Sequence, residues 1–322
     1  MESGAEATLE NVRQQLFDLA ADSMEGRATA TPGEERAARY IAARLSEFGV
    51  EPAGDSGFVQ RVPLRAVTSA AGSRSLALLT SFAELDQLSP GERAVARNIV
   101  GIVRGGDPAL REEAIIVGAH YDHLGIGIPL DDDSIYNGAD DDASGVVAVL
   151  EVARAIASGP RPARTVVFFL ATGEETGFLG TRWYLRDPVM PIDRTVAGLF
   201  IEMIGRPDSL AGGPGRGWLT GYDRSTMGEM LAREGIPLVP DPRPEQNFFE
   251  RSDNTPFVQL GIPAHVISSF NLHTDYHTPM DEAEAADPAH MVDVIRATVR
   301  AARILADGPA PSWNPGGQPA GP

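Results

Sequence analysis

The chain has 322 residues, and 27 Lys+Arg against 45 Asp+Glu leave a formal net charge of −18. With 43% hydrophobic and 22% charged residues it can bury a substantial core, which excludes wholesale disorder, and no run approaches the roughly 20 apolar residues of a membrane span, so a soluble protein is expected. Acidity this strong excludes a nucleic-acid partner, whose phosphates require Lys/Arg-dense surfaces, and the absence of cysteine leaves His, Asp and Glu as the side chains able to hold a metal.

The N-terminus, MESGAEATLE, has neither the basic nor the apolar region of a signal peptide. Leu9, Val12, Leu16 and Leu19 recur at helical spacing; after the turn-rich DSMEGRATATPGEE, Ala37, Ile41, Leu45 and Phe48 line a second helix that Gly49 stops. From Phe58 to Ile102 short β-like runs (FVQRVPL, SLALL, NIVGIV) alternate with breakers and read as a sheet edge or meander. Ala114 to Ala119, Thr165 to Ala171 and Val196 to Met203 are continuous apolar runs, with a helix from Val146 to Ala157 between the first two. Buried strands alternating with helices predict an α/β fold: one globular domain over 1–306, with a central, mostly parallel mixed sheet covered by helices on both faces. Residues 206–251 are loop-rich yet hold Trp218, Tyr222, Phe248 and Phe249, and read either as a lid over a site or as an ordinary irregular insertion. A strand, AHVIS, and a helix from about Pro288 to Leu305 close the domain; the tail 307–322 is too rich in Pro and Gly to be expected to pack.

Ligands of open α/β sheets bind beyond the carboxyl ends of the strands, and those positions are unusually polar here. His120-Tyr121-Asp122-His123 follows the first apolar run and Thr172-Gly173-Glu174-Glu175 the second; Glu202 lies in the third, and His273-Thr274-Asp275-Tyr276-His277 follows the last. Asp140-Asp141-Asp142 precedes the helix that carries Val147 and Leu150. Helix capping needs one acid; three in succession beside other carboxylates repel one another unless a cation neutralises them. Taken singly, His123, His265, His273 and His290 read as surface or hydrogen-bonded core residues. Two histidines and three or four carboxylates, at the ends of separate apolar runs, form a nitrogen and oxygen set suited to two divalent metals, zinc first, with cobalt or manganese as substitutes.

These residues resemble peptidase family M28, the co-catalytic zinc aminopeptidases. The likeness runs, in family order, through GAHYDHLG (Gly118 to Gly125), NGADDDASG (Asn137 to Gly145), GEETGFLG (Gly173 to Gly180), IEMIGR (Ile201 to Arg206), RSDNTPF with GIP (Arg251 to Phe257, Gly261 to Pro263) and DYHTPMDE (Asp275 to Glu282). Weaker likeness in MEGRATATPGEERAARYIAARL and NIVGIVRG extends it over roughly residues 10 to 300. The resemblance implies a zinc exopeptidase-like fold and two zinc ions. It assigns His120 to one ion and Asp141 as the bridging carboxylate, with a cis peptide after it. Glu175 and His277 go to the other ion, and Glu174 is the general base. Glu202 stands where the family usually has Asp, completing the His120 site. Asp122, two residues from His120, is expected to fix its imidazole through the carboxylate, and Tyr276 to donate to the oxyanion. Where the family has an SDH-type motif this chain has Ser252-Asp253-Asn254, so no role of that histidine carries over.

The function implied is removal of N-terminal amino acids from peptides with a free N-terminus, by water activated between the metals. Glutaminyl cyclase-like and carboxypeptidase-like chemistry on the same fold are alternatives: the intact two-metal set disfavours the first, and the second requires a basic pocket that the sequence does not locate. From another class, an inactive metal-binding, peptide-binding module is suggested by Glu202 and Asn254, and Glu174 argues against it. Because members of the family are often exported, a secreted or periplasmic protein is implied if a leader was trimmed.

Overall fold

The computed structural model describes residues 6–68 and 74–319. Helix α1 (Leu9–Leu19) buries Val12, Leu16 and Leu19, and Thr8 caps it by accepting the Asn11 N–H at 3.2 Å. Helix α2 (Pro32–Glu47) opens on a proline, which needs no N–H in the first turn, and buries Ala37, Ile41 and Leu45. Strands β1 (Glu51–Pro52), β2 (Val59–Thr68), β3 (Arg74–Leu78) and β4 (Arg93–Val103) form the antiparallel edge of a sheet, as one of the two readings expected, with β2 between β4 and β3 instead of a meander in chain order. Between β3 and β4 lies a short helix, α3 (Phe82–Gln87), which the strand-like reading of that stretch overlooks; the Ser81 hydroxyl caps it by accepting the Glu84 N–H.

The rest alternates. β5 (Ala114–His120) is followed by a two-stranded hairpin of β6 (Gly125–Leu130) and β7 (Asp133–Tyr136), then by α4 (Gly145–Ser158), β8 (Thr165–Ala171), α5 (Leu179–Tyr184) and β9 (Thr195–Ile201). β10 (Gly217–Leu219), α6 (Met227–Arg233), β11 (Leu238–Pro240), α7 (Asn254–Gln259), β12 (Ala264–Ser268) and α8 (Pro288–Asp307) complete the chain. Among the described residues ten strands make one mixed sheet in the order β11-β10-β12-β9-β5-β8-β4-β2-β3, with β1 beside β4. Its centre, β12-β9-β5-β8, is parallel, and its flanks at β4, β2 and β3 are antiparallel.

The central strands are apolar on both faces because both faces are covered. Ile115, Val117 and Ala119 of β5 and Val166, Phe168 and Leu170 of β8 pack in one core with residues of α1, α2, α4 and α8. The intervening Ala114, Ile116, Val167, Phe169 and Ala171 pack in another with Tyr184 of α5 and Phe257 and Val258 of α7. This is strand alternation with helices on either side.

One expectation is sharpened and one changes. Residues 206–251, read either as a lid or as an ordinary irregular insertion, enter the sheet through β10 and β11. The Pro/Gly-rich tail is also laid against the body as far as residue 319: Trp313 Nε1 donates to the Gly261 carbonyl at 2.8 Å, and its ring meets Phe249 and His265. Pro and Gly prevent a helix there but leave Trp313 free to half-bury its ring and satisfy its N–H. Among the described residues no helix is long and apolar enough to cross a membrane.

Candidate metal centre and active site

The parallel register brings the ends of the central strands together: His120, the last residue of β5, pairs with Ala171, the last of β8, and Glu202 directly follows β9. Thr172 and Gly173 then carry Glu174 and Glu175 over the same edge. Asp141 arrives from the segment Ala139–Ser144 ahead of α4, where the Asp281 carboxylate accepts the N–H groups of Asp140 (3.0 Å) and Asp141 (3.0 Å). The Asp141–Asp142 peptide is cis, as the resemblance implies.

The three consecutive acids have three separate surroundings. Asp140 accepts from the Gly205 N–H at 2.6 Å and stands 2.9 Å from His273 Nε2. Asp142 Oδ1 accepts the N–H groups of Gly145 and Met203, both at 3.0 Å, so it caps α4 and ties it to the chain beyond β9. Asp141 alone turns into the cleft. Its Oδ1 is 3.2 Å from His120 Nε2 and its Oδ2 3.1 Å from His277 Nε2; Glu175 Oε2 is 3.3 Å from the same His277 nitrogen.

Two sets of nitrogen and oxygen atoms therefore meet at Asp141. One is His120, Asp141 and Glu202; the other is His123, Asp141, Glu175 and His277, the atoms of each set lying within 4.8 Å of one another. His120 Nδ1 donates to the Asp122 carbonyl at 3.0 Å, which leaves the Nε2 lone pair facing the cluster. Neither His120 Nε2 nor His277 Nε2 has a hydrogen-bond partner although both are buried. Buried nitrogens unsatisfied by their neighbours, yet surrounded by carboxylates, fit a divalent cation and are poorly explained without one.

The electrostatics agree. Burial raises the Glu202 carboxyl to about 7; His120 opposes the shift and Asp141 adds to it. Burial likewise raises Glu174 well above the ordinary range, with Glu202, Asp253 and Glu175 adding to the effect against His120. Asp253, whose carboxylate accepts the Thr181 hydroxyl, is raised by burial to about 7. Tyr276 is pushed upward by burial and then by Asp141 and Glu175, so its phenol keeps its proton; its ring stacks on His277 with centroids 3.8 Å apart.

His120, Asp141, Glu202, Glu175 and His277 come together, and Glu174 and Tyr276 line the cleft beside them. Asp122 departs from expectation. Its carboxylate is 3.8 Å from His120 Nδ1, and it accepts instead from the Thr29 hydroxyl (2.9 Å) and the Glu174 N–H (3.2 Å). The reason is that β5 ends at His120, so strand alternation no longer sets where Asp122 points. Asn254 is buried, its side-chain amide donating to the Phe249 carbonyl at 2.8 Å.

Two residues have roles that the sequence pattern does not assign them. His123, read as an ordinary histidine, lies in the cluster with Nδ1 2.8 Å from Glu175 Oε1; its place in GAHYDHLG was the available signal. Arg27 is fully buried and donates to the carbonyls of Leu19, Tyr121, Asn137 and Gly138 at 2.6–2.8 Å. It thereby clamps the loops that lead away from His120 and toward Asp141. Two of the four aromatics expected near the site, Trp218 and Phe248, form the cleft wall with Phe270 and Arg251. Phe249 is buried in the core instead, and Tyr222 packs against the larger core.

The model of peptidase family M28 matches residues 98–302. The leupeptin-inactivating enzyme 1 of Streptomyces exfoliatus is 27% identical over 172 residues, which is 53% of this chain and 35% of that protein. A probable leucine aminopeptidase 2 of Aspergillus fumigatus is 28% identical over 179 residues, 54% of this chain and 33% of the relative. The alignments thus span about a third of these relatives' length. Among solved structures, an aminopeptidase from Aneurinibacillus sp. strain AM-1 superposes with a TM-score of 0.66 at 17% identity, covering 94% of this chain and 95% of that one. A Porphyromonas gingivalis glutaminyl cyclase superposes at 0.61 and 16% identity, covering 92% and 97%. These likenesses show the shared fold, and the family match over residues 98–302 places the chain in peptidase family M28.

Proposed function

We propose that the protein is a two-metal exopeptidase that removes N-terminal residues from peptides, with zinc as the resident metal. The observation that carries this reading is the meeting of two ligand sets at the single carboxylate of Asp141. Asp141 would be shared, His120 and Glu202 holding one ion and Glu175 and His277 the other. When bound, such ions supply Lewis acidity, acidifying a water molecule and polarising the scissile carbonyl.

The chain's own groups do the rest. Glu174, whose carboxyl burial and like-charged neighbours raise well above the ordinary carboxylate range, is suited to take a proton from water and return it to the leaving amine. Its position is held by the Asp122 carboxylate through the Glu174 N–H. Tyr276, kept protonated, has a hydroxyl to donate toward the oxyanion. The acidic cleft attracts the cationic amino terminus of a peptide, and Trp218, Phe248 and Phe270 form an apolar wall for its first side chain.

Arg251, the one basic side chain on the described cleft wall, gives the carboxypeptidase-like alternative a specific observation. Aminoacyl-p-nitroanilides and N-blocked peptides with free C-termini separate the two. The proposal expects hydrolysis of the first group, abolished by a chelator and restored by zinc. Hydrolysis of the N-blocked peptides alone would establish the alternative, and turnover unaffected by exhaustive metal removal would refute both.

A further inference from the structure

The histidines of this chain are not alike. His265 Nδ1 donates to the Thr220 carbonyl at 2.7 Å while its Nε2 pairs with the Ser225 hydroxyl at 2.7 Å, and both ring nitrogens of His290 are engaged, by the Gly215 N–H and the Ser269 hydroxyl. Those are satisfied structural residues. His123 is different: its side chain is 0% exposed, its Nε2 has no hydrogen-bond partner, and its Nδ1 faces two carboxylates.

We infer that His123 is a further ligand of the metal held by Asp141, Glu175 and His277, making that set four residues, an inference that rests on the two-metal reading above. Bonds of about 2.0–2.1 Å arranged tetrahedrally place neighbouring ligand atoms ~3.3 Å apart. The separations here are 2.8 Å from His123 Nδ1 to Glu175 Oε1, 3.7 Å from His123 Nδ1 to Asp141 Oδ2, 3.1 Å from His277 Nε2 to Asp141 Oδ2 and 3.3 Å from His277 Nε2 to Glu175 Oε2. The separations bracket that edge length, with Glu175 turning Oε1 toward His123 and Oε2 toward His277. A histidine serving only as a donor to Glu175 has no need to approach Asp141 as well.

The backbone makes room for this ring. Gly138, at φ +57, lies against it, and a Cβ there would meet His123 ring carbons at 2.5 Å. The same glycine opens the segment that delivers Asp141, so the space for the ring and the route of the bridging acid are built together.

Four residue ligands on one side and three on the other make the centre asymmetric. The His123, Asp141, Glu175 and His277 set is coordinatively complete and binds first and more tightly. The His120, Asp141 and Glu202 set keeps an open position.

The test is direct titration of the full chain, freed of metal by dialysis against a chelator, with Zn2+ alone and separately with Co2+ alone. Wild type is expected to bind two equivalents in two resolved steps. His123→Ala and His123→Gln should weaken the tighter step by more than ~100-fold, beyond the 10–100-fold expected of a residue that merely orients a ligand, and should change the visible spectrum of the one-equivalent Co2+ form. Glu202→Gln should weaken the other step only. If His123→Ala fails to fold, the closer-sized Gln variant carries the test. Wild-type affinity in the His123 variants, or weaker binding with an unchanged Co2+ spectrum, overturns the inference. A wild-type stoichiometry below two refutes the two-metal reading instead, and His123 is then judged on the single step that remains.

Discussion

At the scale of single residues, the adjacent Glu174 and Glu175 differ in what their carboxylates meet. Glu175 faces His123 and His277, whereas Glu174 lines the cleft with its backbone held by Asp122. Glu174→Gln keeps size and hydrogen bonding but removes the base, so kcat is expected to fall by about 10²–10⁴ with zinc content near wild type. Glu175→Gln should lose zinc, and added metal should restore part of its activity. Parallel kinetics and metal analysis check the pair, and metal loss confined to Glu174→Gln would reverse the assignment. His265 supports a separate expectation about pH. Burial, opposed by its bond to the Thr220 carbonyl, lowers its pKa from 6.5 to about 4. The neutral ring is therefore favoured in the folded protein, and the stabilisation is complete above pH 6.5. It is lost as pH falls from 6.5 through 4, because the unfolded chain takes up a proton that the folded chain refuses; the loss amounts to about 3 kcal/mol. The His265 ring-proton NMR shift should stay flat down to pH 5, and a midpoint near 6.5 would contradict the burial argument.

At the scale of elements, the long insertion between β9 and α7 does two jobs. β10 and the loop before α7 bring Trp218 and Phe248 to the cleft, stacked with centroids 5.3 Å apart, whereas Phe249 goes to the core beside His265 and Trp313. Replacing Trp218 or Phe248 by Ala is expected to shift relative kcat/KM among Leu, Phe and Ala p-nitroanilides by about tenfold or more, since each removes apolar contact with the first side chain. Phe249→Ala should leave those ratios unchanged while costing about 3–5 kcal/mol of stability, as for other large buried aromatics. Unchanged ratios in Trp218→Ala and Phe248→Ala would remove the wall from the account of specificity.

At the scale of the whole molecule, the strand ends converge many carboxylates on one buried cleft, and their mutual repulsion is a cost to folding that a bound cation offsets. Metal that binds the folded chain but not the unfolded one stabilises it by about 2.7 kcal/mol at a hundredfold excess over Kd. Dialysis against a chelator should therefore lower the thermal midpoint by several degrees, and zinc should restore it. The difference should shrink from pH 7.5 to pH 5.5 as the ligands take up protons. Differential scanning calorimetry checks this, and equal midpoints with and without chelator would exclude metal as a stabilising partner of the fold.

The buried strands and the chemistry at their ends are legible in the chain's apolar pattern. Continuous apolar runs at 114–119, 165–171 and 196–201 can be accommodated only where both faces are covered, and polar residues just beyond them fall on one edge of any parallel sheet. This is why His120, Glu174, Glu175 and Glu202 were legible as a group. The tertiary structure decided where side chains point once a strand has ended. Asp122 and His123 follow the loop after β5, whose path is set by Arg27 reaching from before α2 to the Tyr121 carbonyl. Which acid of the 140–142 triplet enters the cleft was likewise set from a distance, by Asp281 gripping the backbone and by Gly205 and Met203 engaging the other two. The packing of Trp313 depended on a carbonyl at Gly261. Local pattern encodes burial because burial repeats with the backbone's own period; loop direction carries no such period and is fixed by contacts between segments far apart in the chain.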